Sequence, residues 1–98
     1  MSVLLATGHN EFDQFLMEKL QTNLKVDYLE EIEFAIYSSE VQTIILSEYI
    51  PTLSIEEDEK VKYQSILSVI ELLRKNRIRI IFLTSPDAPK WVLGKCLT

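Results

Sequence analysis

The sequence predicts an α/β domain in which strands and helices alternate and the strands form one parallel sheet. Two apolar segments, residues 43–46 and 78–83, show no polar alternation, as strands covered on both faces do. Segments with helical periodicity separate the strand-like segments along the chain. The 98 residues are 47% hydrophobic, which is enough for the core of a single domain spanning residues 1–98.

The first strand and the first helix are predicted over residues 3–7 and 11–22. Gly8 breaks the strand, and Asn10 is the expected N-cap of the helix, with Asp13 as a weak capping-box partner. The apolar stripe of this helix consists of Phe12, Phe15, Leu16 and Leu20.

The second strand is predicted over residues 25–29, where polar and apolar residues alternate as in an edge strand. A short helix follows and ends near Ser38–Ser39. Its inner face consists of Ile32, Ala35 and Ile36. The third strand, residues 43–46, is followed by a loop over residues 50–56 that is long for a connection of this type.

The third helix is predicted over residues 58–76. The acidic residues 56–59 at its start complement the helix dipole, and their side chains point outward in different directions, so no metal site is expected there. The core stripe of this helix consists of Tyr63, Ile66, Leu67, Ile70 and Leu73.

The last elements are a strand over residues 78–83 and a helix that Asp87 caps and Gly94 ends. Right-handed crossovers between parallel strands give the strand order 2-1-3-4, with helices on both faces of the sheet. The predicted fold is therefore a three-layer α/β sandwich, in which no fifth strand follows the last helix.

Composition excludes several classes of function. The net charge of −5 argues against nucleic acid as the main partner, because phosphate binding needs a basic face. No apolar run reaches the roughly 18 residues of a membrane helix, and the N-terminus lacks the basic region of a signal peptide. The single cysteine, Cys96, fits a reducing compartment. A cytoplasmic protein without a membrane partner is expected.

Three segments of the sequence match a known signalling module. The apolar strand Ile44–Leu46 leads into Ser47, and Pro51 lies four residues later. The segment Ile80–Ser85 is an apolar strand that ends in Thr and Ser, and Glu33–Ala35 matches a helix pattern weakly. In these features the chain resembles the response-regulator receiver domain, a flavodoxin-like module of two-component signalling. The resemblance covers nearly the whole chain but stops before the family's fifth strand and helix.

The chain departs from the receiver pattern at the residues that handle phosphate. The family has two acidic residues after the first strand to hold Mg²⁺, where this sequence has Thr7, Gly8 and His9. Ser47 replaces the phosphate-accepting Asp, and the Lys after the fifth strand has no counterpart. Phosphoryl transfer to a receiver needs a carboxylate nucleophile, a divalent ion and a cation on the phosphoryl oxygens. Thr7, His9, Ser47 and Thr84 are therefore interpreted as positions of a degenerate phosphoacceptor site.

The resemblance then implies a non-catalytic pseudo-receiver that acts in regulatory protein–protein interaction or dimerisation without phosphorylation. It implies no cofactor and no metal. Domains of this kind occur at the N-terminus of larger proteins, including MinD-like ATPases that position pilus and secretion machinery. The expected partners are another protein, a C-terminal effector domain or a second copy of the chain.

The predicted contact surface combines the outer side of the third helix, the last helix and the open edge of the fourth strand. Its apolar residues are Val61, Val69, Leu72, Trp91 and Leu93. The three residues on the third helix widen its apolar stripe beyond what one sheet face covers. They either contact the preceding loop at Leu53 and Ile55 or bind a second subunit or domain. Homodimerisation through this side is the expectation.

Two other functions stay open. His9 follows the first strand, where a phosphotransfer histidine occurs in some sugar-transport components, so the chain could carry phosphohistidine. The stretch Thr7–Asn10 could instead bind the phosphate of a flavin or nucleotide at a helix N-terminus, as flavodoxin-like cofactor binders do. A hydrolase is not expected, because Leu46 and Glu48 flank Ser47 where a nucleophile elbow needs glycine.

Overall fold

In the computed structural model, the described residues are 2–53 and 58–83. They form four strands and three helices in alternation. The elements in chain order are β1 (Val3–Ala6), α1 (Asn10–Leu20), β2 (Leu24–Lys25), α2 (Glu31–Ser38), β3 (Thr43–Ser47), α3 (Glu59–Lys75) and β4 (Arg79–Leu83). All neighbouring strands are parallel and their order is β2-β1-β3-β4. The predicted three-layer α/β sandwich and its strand order are confirmed.

The two central strands are buried along their length. Each residue of β1 is buried, and so are the four residues from Ile44 to Ser47 in β3. Their unbroken apolar runs predicted this burial. Ala6 pairs with Leu46, so the carboxyl ends of the two strands lie side by side. This edge is where open α/β sheets usually place their functional groups.

The two outer strands differ from the prediction. Strand β2 has two residues, fewer than the predicted 25–29, because the chain turns immediately after it. The backbone N–H groups of Asp27 and Tyr28 both donate to the carboxyl group of Glu31, at 3.1 and 2.9 Å. Strand β4 alternates between exposed and half-buried residues, although its sequence reads as a strand covered on both faces.

The larger part of the core lies between the sheet and the helices α2 and α3. Its fully or nearly buried side chains are Leu4, Ala6, Val26, Leu29, Ile32, Ile44, Leu46, Ile50, Tyr63, Ile66, Ile70, Leu73 and Ile78. The predicted inward stripe of α3 is thus confirmed at Tyr63, Ile66, Ile70 and Leu73, and Leu67 packs against it half-buried. Helix α3 begins after Asp58, whose side chain caps it by accepting from the N–H of Val61 at 3.0 Å.

Helix α1 covers the opposite face, and its predicted apolar stripe is confirmed at Leu16 but wrong at Phe12, Phe15 and Leu20. Leu16 and Met17 pack on a small cluster of strand residues, while Phe12 and Phe15 are 42% and 54% exposed. Asp13 lies on the inward side and is fully buried. The strand residues of this cluster are Val3, Leu5 and Ile45.

The start of α1 also differs from the prediction. Helix α1 begins at Asn10 itself, with His9 at the N-cap position and without a side-chain cap. The side chain of Asn10 accepts from the ammonium group of Lys25 at 2.7 Å, so it is engaged with β2. Asp13 does not form a capping box, because its carboxyl group accepts from the hydroxyl of Thr7.

Several sequence predictions fall on residues outside the described ranges. They concern Thr84, the helix from Asp87 to Gly94 with Trp91 and Leu93, the absence of a fifth strand, and Ile55 in the loop before α3. Among residues 2–53 and 58–83, no helix has the length and apolarity needed to span a membrane.

Candidate functional site

The candidate site is the carboxyl edge of the sheet, where β1 and β3 end beside each other. Thr7 follows Ala6 of β1, and Ser47 is the last residue of β3, one position beyond the Ala6–Leu46 pair. Two of the predicted site residues are therefore on neighbouring strand ends, and His9 follows Thr7 by two residues. Thr84 lies outside the described residues.

Thr7 is fully engaged inside the protein. Its hydroxyl donates to Oδ1 of Asp13 at 2.5 Å and accepts from the backbone N–H of His9 at 3.2 Å. The side chains of Thr7 and Asp13 are both buried, with 1% and 0% of their surface exposed. The second carboxyl oxygen of Asp13, Oδ2, has no hydrogen-bond partner among the described residues. The hydrogen bond between Thr7 and Asp13 connects the end of β1 to the first turns of α1.

Sequence reasoning missed this role of Asp13, because it treated the residue as a partner in the helix cap. An acid one turn into a helix can return to the strand end when the intervening turn is short. The signal was a hydroxyl at the strand end followed six residues later by an acid. Buried polar groups are nearly always hydrogen-bonded, so such a pair is a reasonable expectation only when both members point inward.

Ser47 is also buried and its polar groups serve the turn that follows β3. Its hydroxyl accepts from the N–H of Tyr49 at 3.0 Å, and its carbonyl accepts from the N–H of Ile50 at 3.2 Å. Only 3% of its surface is exposed. A hydroxyl that accepts from its own backbone two residues on is a common turn device. In this arrangement Ser47 is not presented to solvent as a nucleophile would be.

The turn after Ser47 packs directly against Gly8. The backbone of Gly8 has a φ of +76°, and a side chain there would lie 2.9 Å from Pro51 Cδ and 2.9 Å from the carbonyl oxygen of Tyr49. Only glycine accepts this close approach and this backbone conformation without strain. The segment from Tyr49 to Pro51 thus closes over the loop that joins β1 to α1.

A second buried acid lies at the same edge. Glu48 is 5% exposed, and its Oε2 accepts from the phenol of Tyr63 on α3 at 2.7 Å. Its backbone N–H donates to the carbonyl oxygen of Leu83 at 3.0 Å. Sequence reasoning placed Tyr63 in the apolar stripe of α3 and did not pair it with Glu48. The two acids of this edge therefore each accept a hydrogen bond from a separate hydroxyl group.

His9 is the exposed member of the predicted site. It stands at the N-cap of α1, and its backbone N–H points back to Thr7. Among residues 2–53 and 58–83, no group of three or more His, Cys, Asp or Glu side chains could hold a metal ion.

A shallow cavity of about 500 Å³ lies beside the loop between β1 and α1. Lys25 is the basic residue of its lining, and its ammonium group is 2.7 Å from Asn10 Oδ1 and 3.3 Å from Asp27 Oδ1. The cavity is lined by Gly8, Asn10, Gln14, Lys25, Asp27, Tyr28 and Pro51. The ammonium group of Lys25 is thus already paired with Asn10 and Asp27, which disfavours its binding to an external anion.

The predicted interface residues of α3 lie along one flank. Val61 is 45% exposed, whereas Val69 and Leu72 are half-buried and line a groove between α2 and α3. This groove has a volume of about 480 Å³, and its other lining residues are Leu29, Glu30, Glu33, Ser65 and Ser68. Leu53, the described member of the alternative loop contact, is 60% exposed. Trp91 and Leu93 lie outside the described residues.

Comparison of the chain with protein-family models, with curated proteins and with solved structures gave no match.

Proposed function

We propose that this chain is a non-catalytic interaction domain, a receiver-like fold that works by binding other proteins and not by accepting phosphate. The single observation that supports this most is that the hydroxyl groups of Thr7 and Ser47, two positions of the predicted phosphoacceptor site, are both hydrogen-bonded inside the protein. Thr7 is hydrogen-bonded to Asp13, and Ser47 is hydrogen-bonded to its own turn. Both hydroxyl groups are buried, so neither is placed to attack a phosphoryl donor.

The packing of the turn after β3 on Gly8 also supports the proposal. In a phosphate-accepting site, the carboxyl edge must admit a phosphoryl group with its counter-ion. Here the segment from Tyr49 to Pro51 packs against Gly8 at distances that leave no room for a methyl group.

The proposed partners are a second copy of the chain, another protein or an effector domain in the same polypeptide. Exposed aromatic side chains support an interaction role, because binding surfaces are richer in aromatic residues than the rest of a protein surface. Phe34 and Tyr37 on α2 are 76% and 64% exposed, and Phe15 on α1 is 54% exposed. The proposed setting is the cytoplasm, as part of a signalling or positioning system.

The test is incubation of the purified chain with small-molecule phosphodonors and Mg²⁺, followed by intact-mass measurement. No added phosphate is expected on the wild-type chain. Phosphate on Ser47 or Asp13 would overturn the proposal. Because His9 is exposed, the phosphohistidine alternative is tested in the same experiment: a phosphate adduct that disappears in His9→Asn would establish it. A chain that binds flavin or nucleotide in a thermal-shift assay would support the cofactor-binding alternative.

A further inference from the structure

Among the described residues, the elements that pack on the α1 face of the sheet leave part of it exposed. The register pairs Ile45 with Ile81 and Ser47 with Leu83, so these side chains share one face. Ile45 is 8% exposed, but Ile81 and Leu83 are 45% and 37% exposed. On the other face, the β4 side chains Ile80 and Phe82 are half-buried against the larger core. We call the surface of Ile81 and Leu83 on β4, beside the buried Ile45 of β3, the open strip.

Helix α1 borders the open strip with an aromatic flank. Asn10 is hydrogen-bonded to Lys25, which fixes the flank of α1 that faces β2. Side chains advance by 100° per residue along a helix, so Phe12 and Leu16 lie on the opposite flank, toward β3 and β4. Leu16 packs against the cluster that includes Ile45, in agreement with this orientation. The exposed ring of Phe12 therefore stands at the border of the open strip.

Strands β3 and β4 together have the width that one helix needs on this face. Strands lie about 4.8 Å apart, and packed helices lie about 8–10 Å apart. Helix α1 packs chiefly on β1, so the next helix on this face would lie over β3 and β4. Each copy of the chain thus presents a ridge, which is α1, beside a depression that would accept a ridge of the same size.

We infer that a second copy of this chain covers the open strip, in a two-fold dimer in which α1 of each copy lies over β3 and β4 of the other. A two-fold axis parallel to the strands, lying between the ridge and the depression, places the ridge of each copy in the depression of the other. Such an interface is self-complementary, as a two-fold dimer requires. Phe15 of one copy then packs on Ile81 and Leu83 of the other, and the two Phe12 rings face each other.

Charge supports a second copy as the occupant. The hydroxyl of Thr22 donates to the carbonyl oxygen of Val3 at 2.7 Å, so the end of α1 lies at the amino end of β1. An axis parallel to the strands keeps the two α1 helices parallel, which brings Glu18 of one copy to the amino end of β4 in the other. Arg79 lies there, and Val3, Thr43 and Arg79 are in register. Glu18 and Arg79 are both exposed, and neither forms an ion pair within the described part of the chain.

Charge also disfavours residues 84–98 as the occupant of the open strip. Lys19, whose ammonium group lies 5.6 Å from the centre of the Phe15 ring, and Arg79 make this end of the strip positive. Residues 84–98 contain two Lys and one Asp, so their net charge has the same sign as this end. Self-association is therefore expected through the α1 side and not through the predicted α3 side.

This inference rests on the proposed interaction function and specifies its partner as the chain itself. The test is sedimentation equilibrium of the 98-residue chain over a concentration series, together with charge-exchange variants. Glu18→Arg and Arg79→Glu should each weaken dimerisation by about tenfold, and the double variant should recover most of the loss. Ile81→Glu should give a monomer, while the matched control Leu72→Glu in the α2–α3 groove should remain dimeric.

Circular dichroism and thermal melting check that each variant is folded. A wild-type chain that remains monomeric at millimolar concentration overturns the inference. So does a dimer that Leu72→Glu dissociates and Ile81→Glu does not, or a double charge variant that recovers nothing. None of these results affects the phosphodonor experiment, whose outcome tests the proposed function by itself.

Discussion

The two faces of the sheet differ in how completely helices cover them. The face under α2 and α3 contributes to a cluster of 13 buried hydrophobic residues, whereas the face under α1 has a cluster of three. Burial of apolar surface is the main favourable term in folding, so most of the stability must come from the first face. The second face is left with exposed apolar side chains, which makes it the better candidate for binding.

The faces also differ in how their helices are attached. Helix α3 packs through a continuous apolar stripe, including Ile66 and Ile70. Helix α1 packs through two half-buried residues and the buried hydrogen bond between Thr7 and Asp13. A helix held partly by a polar contact contributes less to the core, because hydrogen bonding on folding replaces hydrogen bonds to water. Substitutions on the two faces should therefore change the free energy of unfolding by unequal amounts.

The largest effect is expected for Leu46→Ala, which removes a fully buried side chain from the thicker layer. The expected loss in the free energy of unfolding is about 2–5 kcal/mol, from lost burial and the cavity left behind. The matched control is Ile81→Ala on the neighbouring strand, which faces the other layer and is 45% exposed. Its cost should stay below about 1 kcal/mol, since its side chain is only partly buried. Urea unfolding measures both, and equal losses would refute the asymmetry.

A smaller effect is expected for Thr7→Val, which removes the hydroxyl that donates to Asp13. The buried carboxyl group would then have no donor from Thr7, and the expected cost is about 2 kcal/mol. The double variant Thr7→Val with Asp13→Leu replaces both polar partners by apolar groups and should recover at least half of this loss. Thermal unfolding measures both variants. If the double variant is the less stable of the two, the polar pair is more important to the α1 layer than its packing.

The sheet could be predicted from the sequence because its signals are local. The apolar runs of β1 and β3, the spacing of helices between them and the rule for crossovers together determine the strand order. The stripe of α3 was equally clear, since Ile66, Ile70 and Leu73 recur at helical spacing and are all buried. These features depend on residues close together in the chain, so one sequence is enough to find them.

The face of α1 could not be predicted because two stripes of similar strength compete on that helix. Phe12 and Phe15 are more hydrophobic than Asp13, so the apolar pattern favoured them. The structure buries Asp13 because Thr7 supplies a hydrogen bond, and that contact depends on how the strand and helix meet. The exposure of Ile81 in β4 has a similar cause, since it depends on whether another element covers that face.

The places of Thr7 and Ser47 at the strand ends could be predicted, but their burial and their hydrogen bonds could not. Ser47 does end β3 beside the end of β1, as the resemblance to receiver domains led us to expect. Its burial by the turn that follows, and the packing of that turn on Gly8, depend on the path of residues 49–51. No pattern in the sequence specifies such a path, although Gly8 was a hint that the backbone approaches another segment closely.

The smallest effect on stability is expected for Phe15→Ser. This variant distinguishes most clearly between a role of the α1 face in folding and a role in binding. The Phe15 ring is 54% exposed and lies on the outer part of the helix, so the free energy of unfolding of the monomer should change by less than about 0.5 kcal/mol. If the ring packs on Ile81 and Leu83 of a second copy, the same change should shift the monomer–dimer equilibrium strongly toward the monomer. Unfolding is therefore measured at a concentration where the chain is monomeric, and association by sedimentation. A large loss of monomer stability with unchanged association would mean that Phe15 belongs to the core of α1 and not to a binding surface.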